Sequence, residues 1–389
     1  MMQRRIFILA AGATGQTPAF LPPDEPVDTT IDGLDARPVD LREPVRAMMQ
    51  SMPWAAPTMP RQASRLAQLA VLGALQCLRD LPVRLAADTP LYLATGLGDV
   101  ARTDTLYHDV MPPSGGPASP AQFVSSGNNM AAFFVARQAG LSGRNFTVSQ
   151  DSLSLEQALS MACAELRRSV PVSRRDRPLV TRQVLVGAVD ETTLSRERYE
   201  RRFAPAARMA IGEGSSWFVL GTDEQAALGE LLDVAVVELP DGSTGTVNDW
   251  AGAVARRVIQ GLAASARPDD AMAGHATGAA GSLILATGCR VNAREMQALI
   301  DALGRTGMGD DGGDCSRGEG LVHWPYLRAT GCFPTAAGQM LAAALSGHAA
   351  IDASVAGRPA PGTILVHVNR DENGMLGLIA VRVSGPRGR

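Results

Sequence analysis

Strand-like and helix-like patterns alternate along nearly the whole chain, and this alternation limits the fold more than any other feature. Apolar and β-branched runs such as 182–191 and 281–288 alternate with Ala-rich segments such as 61–81 and 154–169. The apolar residues of the Ala-rich segments recur at helical spacing. Alternation of this kind is typical of an α/β protein. Aromatic residues make up only 4% of the chain, which also favours an α/β over an all-β composition.

The same pattern of strand, small-residue turn and buried Ala-rich helix occurs in both halves of the chain. No low-complexity linker separates the halves, and 389 residues suffice for two domains or one large one. We expect two similar halves, residues 1–230 and 231–389, packed as one compact body. The last two strands, 362–369 and 376–383, are expected to pair antiparallel.

The composition excludes several classes of chemistry. None of the 36 basic residues is lysine, so Schiff bases, pyridoxal phosphate linkage and a P-loop lysine are excluded. A net charge of −3 gives no electrostatic reason to expect nucleic acid. The five cysteines form neither a CxxC pair nor a Cys/His cluster, which indicates reduced thiols, a cytoplasmic protein and no metal site. No cofactor is expected, and no apolar run approaches the roughly 20 residues of a membrane span.

Three further motifs predict little chemistry. The N-terminus is basic and then apolar, like a weak signal peptide, but its short apolar run predicts a buried first strand. The segment AAGATGQTP (10–18) lacks the third glycine of a dinucleotide fingerprint, so it predicts a turn. GHATGAAG (274–281) places His275 in a loop without partners at metal-ligand spacing.

The stretch NFTVSQDSLSLEQAL (145–159) places Ser152 where a strand ends and a helix begins. A residue there faces free backbone N–H groups and the positive end of the helix dipole, which favour a developing anion. Strand–turn–helix elbows therefore often carry nucleophiles. Asp151, Ser152 and Ser154 are also good N-cap residues, and no G-x-S-x-G motif is present. The residues alone leave both interpretations of Ser152 open.

The order of the segments from about residue 5 to 383 resembles the β-ketoacyl synthases. The resemblance rests on the strand–elbow–helix stretch already quoted and on four further segments: VLVGAVDE (184–191), RMAIGEGSSWFVL (208–220), ATGCRVNAREMQALIDALG (286–304) and TGCFPTAAGQML (330–341). It implies a thiolase-like α/β fold with two pseudo-symmetric halves in αβαβα layers.

The catalytic residues of the β-ketoacyl synthases are absent where the resemblance would place them. Ser152 falls at the nucleophilic cysteine, Cys332 at the second histidine and Leu327 at the lysine, and the first histidine falls within 284–286. A serine hydroxyl has a far higher pKa than a thiol, so a helix dipole alone cannot ionise it. With all four groups replaced, the chain is expected to have no condensing activity of its own.

The pattern resembles the chain-length-factor subunits of type II polyketide and aryl polyene ketosynthase heterodimers. Phe133 and Phe134 fall at the gate of the acyl tunnel, which they would narrow, although both also fit as ordinary core aromatics. The strand before the nucleophile pairs across a twofold axis in this family, which implies an interface with an active ketosynthase. The implied interface residues are Asn145, Phe146, Thr147, Val148 and Ser149.

An acyl carrier protein is a further expected partner of the chain. The arginine-rich segments 167–177 and 195–202 could contact its acidic surface or could simply be solvated.

Two other functions fit the sequence. Ser152 could serve an acyltransferase or thioesterase, with His275 or another histidine as its base and Asp151 nearby. This requires a histidine within about 3 Å of the serine hydroxyl. The chain could also be a ketosynthase-like homodimer that acts as a scaffold or ligand binder.

Overall fold

The computed structural model describes residues 4–16, 40–56, 58–59, 63–79, 81–113, 115–168, 182–192, 211–239, 246–265, 282–305, 321–346 and 359–384. The strands are β1 (Ile6–Gln16), β2 (Leu91–Ala94), β3 (Asn145–Val148), β4 (Gln183–Asp190), β5 (Glu213–Gly221), β6 (Gly229–Val237), β7 (Leu283–Thr287), β8 (Leu321–His323), β9 (Ile364–Arg370) and β10 (Leu376–Val383). The helices are α1 (Arg42–Gln50), α2 (Arg65–Arg79), α3 (Val100–Val110), α4 (Pro120–Ser125), α5 (Met130–Ala139), α6 (Ser154–Arg167), α7 (Val247–Ala264), α8 (Ala293–Arg305), α9 (Leu327–Thr330) and α10 (Ala336–Ser346).

The strands form one sheet that contains the same five-strand pattern twice. Its order is β3-β2-β4-β5-β1-β6-β10-β9-β7-β8. In the first unit β2 is parallel to β3 and β4, whereas β5 is antiparallel to β4 and β1. In the second unit β7 is parallel to β8 and β9, whereas β10 is antiparallel to β9 and β6, as expected for the closing pair. The two units meet where β1 pairs with β6.

Three hydrophobic clusters separate the chain into layers. One contains side chains of α6 and α10 together with strands of both units. A second lies between the first unit and α1, α2 and α5. A third lies between the second unit and α7 and α8. Helices thus cover both outer faces and fill the space between the units, which is the predicted αβαβα arrangement. The division of the chain after residue 230 stays a prediction; the second unit's first strand, β6, begins at Gly229.

Two predictions from the sequence are wrong. In place of the turn predicted over 10–18, β1 continues to Gln16. The sequence DEQAALGELL (223–232) predicts a short helix, which the structure does not contain. The structure instead shows turns followed by β6 from Gly229. Leu231 pairs with Ile6 on one side, and β10 pairs along the other side of the strand. Pairing with two neighbours and burial of Leu231 and Leu232 outweigh the local helix propensity.

The sequence AQFVSSGNNMAAFFVARQAGL (121–141) predicts a mostly helical stretch, which is interrupted in the structure. It forms α4 and α5, with a break at residues 126–129. Gly140 ends α5 in a left-handed conformation at φ 67°, which costs a glycine little. The break turns α5 so that it packs against β3 at the edge of the sheet. No helix in the described ranges is long and apolar enough to cross a membrane.

Candidate functional site

The connection from β3 to α6 forms a tight elbow at the centre of the protein. A single 3₁₀ turn, Asp151–Leu153, precedes α6. Asp151 has a φ of 47°, and no other non-glycine residue in the described part of the chain has a positive φ. The Ser154 hydroxyl stabilises this turn, since it accepts the N–H of Gln150 at 2.8 Å and donates to the Asp151 carbonyl at 2.8 Å. The strained residue of the elbow is therefore Asp151.

Ser152, which the sequence places at the nucleophile position, faces the end of β9. Its side chain is 1% exposed, and its hydroxyl donates to the Arg370 carbonyl at 2.8 Å. Its own carbonyl accepts a hydrogen bond of 2.7 Å from the Asn369 side-chain amide. In this geometry the serine hydroxyl contacts a carbonyl oxygen instead of a base, and it does not cap the helix. The role of Ser152 as a degenerate nucleophile position stays a prediction.

The Asp151 carboxylate points at Arg290, in the loop after β7. Asp151 Oδ2 lies 2.8 Å from Arg290 Nη2, and both side chains are largely buried. Glu372 Oε2 lies 4.0 Å from the same guanidinium nitrogen, but its side chain is 65% exposed. Arg370 holds the Arg290 backbone by donating from Nε to its carbonyl at 3.0 Å. The elbow thus contains a buried ion pair between the two halves of the chain.

Deeper in the same region, three buried polar side chains form a relay that we call the Glu–His–Tyr relay. The Tyr326 hydroxyl lies 3.0 Å from His367 Nε2, and His367 Nδ1 lies 3.4 Å from Glu156 Oε1. A Cβ atom on Gly377 would lie 3.1 Å from Glu156 Cδ, so only glycine leaves ordinary room for this carboxyl group. Burial raises the pKa of Tyr326, which keeps its phenol protonated. Both nitrogens of His367 face members of the relay, and Ser152 therefore gains no base from it.

Cys332, the predicted position of the second histidine, is buried next to Cys289. A hydrogen bond between the two thiols, together with burial, raises the pKa of Cys332. Cys289 Sγ in turn lies 3.4 Å from the Phe333 carbonyl, to which it donates. A buried thiol with a raised pKa is a poor nucleophile, and Cys332 cannot act as the imidazole base that it would replace. No group of His, Cys, Asp and Glu side chains in the described ranges is placed to hold a metal ion.

Asp190 holds the loop at Gly96 and Leu97, which packs against the elbow. Its Oδ1 accepts hydrogen bonds from the Thr95 hydroxyl and the N–H groups of Gly96 and Leu97, and its Oδ2 accepts from the Thr335 hydroxyl. Burial raises the pKa of Asp190 to about 6. A Cβ on Gly96 would come within 2.8 Å of the Asp151 carbonyl, so the loop that Asp190 holds lies directly against the elbow.

On the outside of the elbow, β3 is an edge strand with β2 as its neighbour. Phe146 is 40% exposed and stacks on Tyr92, with ring centroids 5.2 Å apart. The Thr147 hydroxyl is buried without a hydrogen-bond partner among the described residues. The predicted interface residues Asn145–Val148 therefore form the edge strand of the sheet, and Ser149 follows directly after it.

Six of the exposed large apolar side chains of the described residues lie between residues 107 and 146. They are Tyr107 and Met111 on or just after α3, Phe123 and Val124 on α4, Phe133 on α5 and Phe146 on β3. Of these, Phe133 and Phe146 lie on elements at this edge, because α5 packs against β3. Of the two predicted tunnel residues, Phe133 is 48% exposed, whereas Phe134 is buried in the core beneath α5. Phe134 thus packs as an ordinary core aromatic.

Sequence reasoning missed the ion pair and the relay. Asp151 carried one usable signal, because aspartate tolerates a positive φ better than most residues. Glu156, Tyr326 and His367 lie far apart in the chain, and nothing in their local patterns indicates contact. His275 and the segment 195–202 lie outside the described residues, and of 167–177 only Arg167 and Arg168, which close α6, are described.

Comparison with solved structures identifies the fold. The ishigamide ketosynthase/chain length factor superimposes with a TM-score of 0.62 at 17% identity, covering 98% of this chain and all of that one. A type II polyketide synthase ketosynthase structure, solved with its acyl-carrier protein and bound to the hexaketide, gives a TM-score of 0.63 at 14% identity over 98% of this chain and 100% of that one. A β-ketoacyl synthase from Burkholderia phymatum STM815 gives 0.57 at 14% identity, again over 98% and 100%.

These structures confirm the predicted fold, and the chain has the thiolase-like fold of the ketosynthases. No protein-family model matches the chain, and a search of curated proteins found no match.

Proposed function

We propose that this chain is the non-condensing subunit of a ketosynthase heterodimer in the cytoplasm, a chain-length factor that helps to shape the partner's acyl tunnel. The observation that carries the proposal is a contrast between β3 and the elbow that follows it. The edge of β3 has no neighbouring strand, whereas the elbow is filled by buried, paired side chains. One solved structure with this fold is named as a ketosynthase/chain length factor, and another holds an acyl-carrier protein. We propose the same two kinds of partner, a ketosynthase and an acyl carrier protein, for this chain.

The interior supports the absence of independent condensing activity. Condensation needs an activated nucleophile and groups that stabilise a carbanion. At the elbow the nearest side chains are instead an ion-paired carboxylate at Asp151 and a buried hydroxyl at Ser152 that donates to a carbonyl. Cys332 keeps its proton because its pKa is raised. The described groups can stabilise the elbow, but Ser152 and Cys332 are not activated as nucleophiles at neutral pH.

The surface supports a partner at β3. An edge strand with open backbone groups promotes pairing with another chain unless charges, proline or a covering segment prevent it. The strand residues Asn145–Val148 carry no charge, and Phe146 places an aromatic ring at the edge. A second β3-like strand would cover this backbone and bury the ring. An obligate interface of this kind is expected to be large and apolar.

Phe133 is the better candidate of the two phenylalanines for limiting the acyl chain. It lies on α5, which packs against β3, and its ring projects from the surface that the partner would cover. In the heterodimer a ring there would reach toward the partner's tunnel and shorten the space for the product. We therefore expect Phe133→Ala to lengthen the product, whereas Phe134→Ala would mainly destabilise the core.

The test is co-expression with an intact type II ketosynthase and its acyl carrier protein. We expect a stable one-to-one complex on size-exclusion chromatography and elongation of malonyl units only when the ketosynthase is present. Elongation by this chain alone would overturn the proposal. A homodimer that binds none of the ketosynthases tested would instead support the alternative of a homodimeric scaffold or ligand binder.

The alternative enzyme function is tested with the purified chain and an acyl thioester. A covalent adduct that mass spectrometry locates on Ser152, and that disappears in Ser152→Ala, would establish an acyltransferase or thioesterase. The hydrogen bond from Ser152 to the Arg370 carbonyl argues against this result.

A further inference from the structure

We propose that Asp151 is an internal carboxylate ligand that fills an anion site formed by Arg290 at the start of α6 and keeps external carboxylates out of the elbow. The inference requires no partner, so it holds whether or not the chain pairs with a ketosynthase. Its ligand class is a small carboxylate or the carboxylate end of a larger molecule.

The backbone shows that the position of Asp151 is imposed by its surroundings. A φ of 47° is unfavourable for a residue with a side chain, and such residues cluster at functional sites where the surrounding structure holds them. Ser154 and Asn369 hold the turn on both sides of Asp151 by hydrogen bonds to the backbone. The result is that the carboxylate projects from the apex of the elbow toward Arg290.

Arg290 requires an anion where it lies. Its side chain is largely buried, and a buried guanidinium is costly unless it is paired. The loop that carries it is fixed, because Arg370 donates to the Arg290 carbonyl while also pairing with Glu295 at 2.7 Å. The backbone at Arg290 therefore keeps its place when the Asp151 carboxylate is removed.

The site suits a carboxylate from elsewhere equally well. Arginine binds carboxylates with two parallel hydrogen bonds, and the start of a helix adds a favourable field for an anion. The site lies at the 3₁₀ turn that precedes α6, and its cation is the buried Arg290 guanidinium, which Asp151 contacts at 2.8 Å. A free carboxylate needs only the space that the Asp151 side chain now occupies.

Chemical rescue tests the proposal on the full chain. Asp151→Gly removes the carboxylate and also relieves the unfavourable φ, because glycine adopts it freely. We expect this variant to gain thermal stability in sodium acetate or sodium malonate, relative to sodium chloride at equal ionic strength. At an acetate concentration tenfold above its Kd, the gain is expected to be about 2 °C in Tm. The wild type should gain nothing, since its site is filled.

Two companion variants make the rescue specific. Arg290→Gln in the Asp151→Gly background should abolish it, because the cation is gone. Glu372→Gln in the same background should strengthen it, because Glu372 Oε2 lies 4.0 Å from Arg290 Nη2 and would compete with acetate for the guanidinium. Equal stabilisation of the wild type by acetate, or rescue that survives Arg290→Gln, would overturn the proposal.

Should Asp151→Gly fail to fold, Asp151→Asn provides the second measurement. Asparagine keeps the volume and tolerates a positive φ, but it has no charge. We expect a double-mutant cycle of Asp151→Asn and Arg290→Gln to show strong coupling in chain stability. Additive effects would refute the internal ligand and would leave the heterodimer proposal untouched, because no ketosynthase is in the assay.

Discussion

The edge strand β3 and the elbow that follows it are neighbours in the chain but differ in what they leave open. Along β3 an aromatic ring is exposed and the Thr147 hydroxyl lacks a partner among the described residues. Three residues after the strand, the elbow is sealed by an ion pair and by hydrogen bonds to β9. A site that performs chemistry needs the reverse, an open elbow on a stable support. This contrast supports the proposal that the outward side of this segment carries the function.

The opposite edge of the sheet differs from the β3 edge in length and in exposed side chains. Its edge strand, β8, has only the three residues Leu321–His323, and short edge strands limit unwanted pairing. Val322 is 46% exposed there, but the concentration of exposed aromatic rings found near β3 has no counterpart on the described residues of β8. The two units repeat one topology, but their edge strands differ in length and in exposed apolar side chains among the described residues.

The largest effect should come from a charge on the edge strand. Phe146→Glu would place a carboxylate where the partner's strand must pack, and an unpaired buried charge costs several kcal/mol. We expect the affinity for the ketosynthase to fall by at least about a thousandfold, which corresponds to about 4 kcal/mol. Analytical ultracentrifugation of the co-expressed pair would measure the change.

Val322→Glu is the matched control, because it adds the same charge at a similarly exposed position on the other edge. It should leave the complex intact. If both variants weakened pairing equally, the contrast between the two edges would be lost.

The sequence predicted well the helices and strands that carry the elbow and the sheet. The helix predicted over 154–169 is α6 at Ser154–Arg167, and the closing strands pair antiparallel as expected. Both follow from local periodicity, which reports which face of an element is buried. Local periodicity failed at 223–232, where pairing of β6 between β1 and β10 decided the structure.

The interior of the elbow could not be predicted in the same way. Asp151, Ser152 and Ser154 are all good residues for a helix start, and the tolerance of aspartate for a positive φ is the one local signal that favours Asp151 for the strained conformation. The ion pair joins the elbow, and the Glu–His–Tyr relay joins α6, to loops and strands more than a hundred residues away in the chain. The local pattern of a single sequence does not predict contacts between residues so far apart in the chain.

The second prediction concerns the floor of the elbow. In Gly377→Ala the new Cβ would lie 2.6 Å from Leu153 Cδ2 and 3.1 Å from Glu156 Cδ. Overpacking of a buried site costs typically 1–3 kcal/mol, and the neighbouring polar relay leaves little room to relax. We expect a loss of about 3 kcal/mol in the free energy of unfolding, measured with urea. Gly304→Ala on α8 is the control, since its Cβ would meet nothing within 4 Å, and it should stabilise slightly.

The third prediction concerns pH and Asp190. Burial raises its pKa to about 6 from a usual value of 3.8, so the folded state holds the proton more tightly than the unfolded chain. The stability this provides is complete below about pH 4 and is lost as the pH rises through 6. One pKa unit corresponds to about 1.4 kcal/mol, so Asp190 should account for a loss of about 2 kcal/mol between pH 4 and 8.

Asp190→Asn should flatten this part of the profile, because an amide can keep the hydrogen bonds of Oδ1 and donate to the Thr335 hydroxyl without titrating. Urea unfolding across pH 4 to 8 would show it. Glu43→Gln, a change at a well-exposed carboxylate, should leave the slope unchanged. Identical slopes in the wild type and Asp190→Asn would mean that Asp190 titrates normally, and that the loop beneath the elbow is more solvated than the structure indicates.

The smallest effect should come from Ser152 itself. Ser152→Ala removes one hydrogen bond, the 2.8 Å contact with the Arg370 carbonyl, and leaves that buried acceptor without this donor. We expect a loss of about 1 kcal/mol in unfolding free energy and no change in the product made by the heterodimer. A nucleophile would show the opposite pattern, with little effect on stability and a large effect on turnover. Measuring both quantities on the same variant therefore decides whether the serine at this elbow holds the structure or performs chemistry.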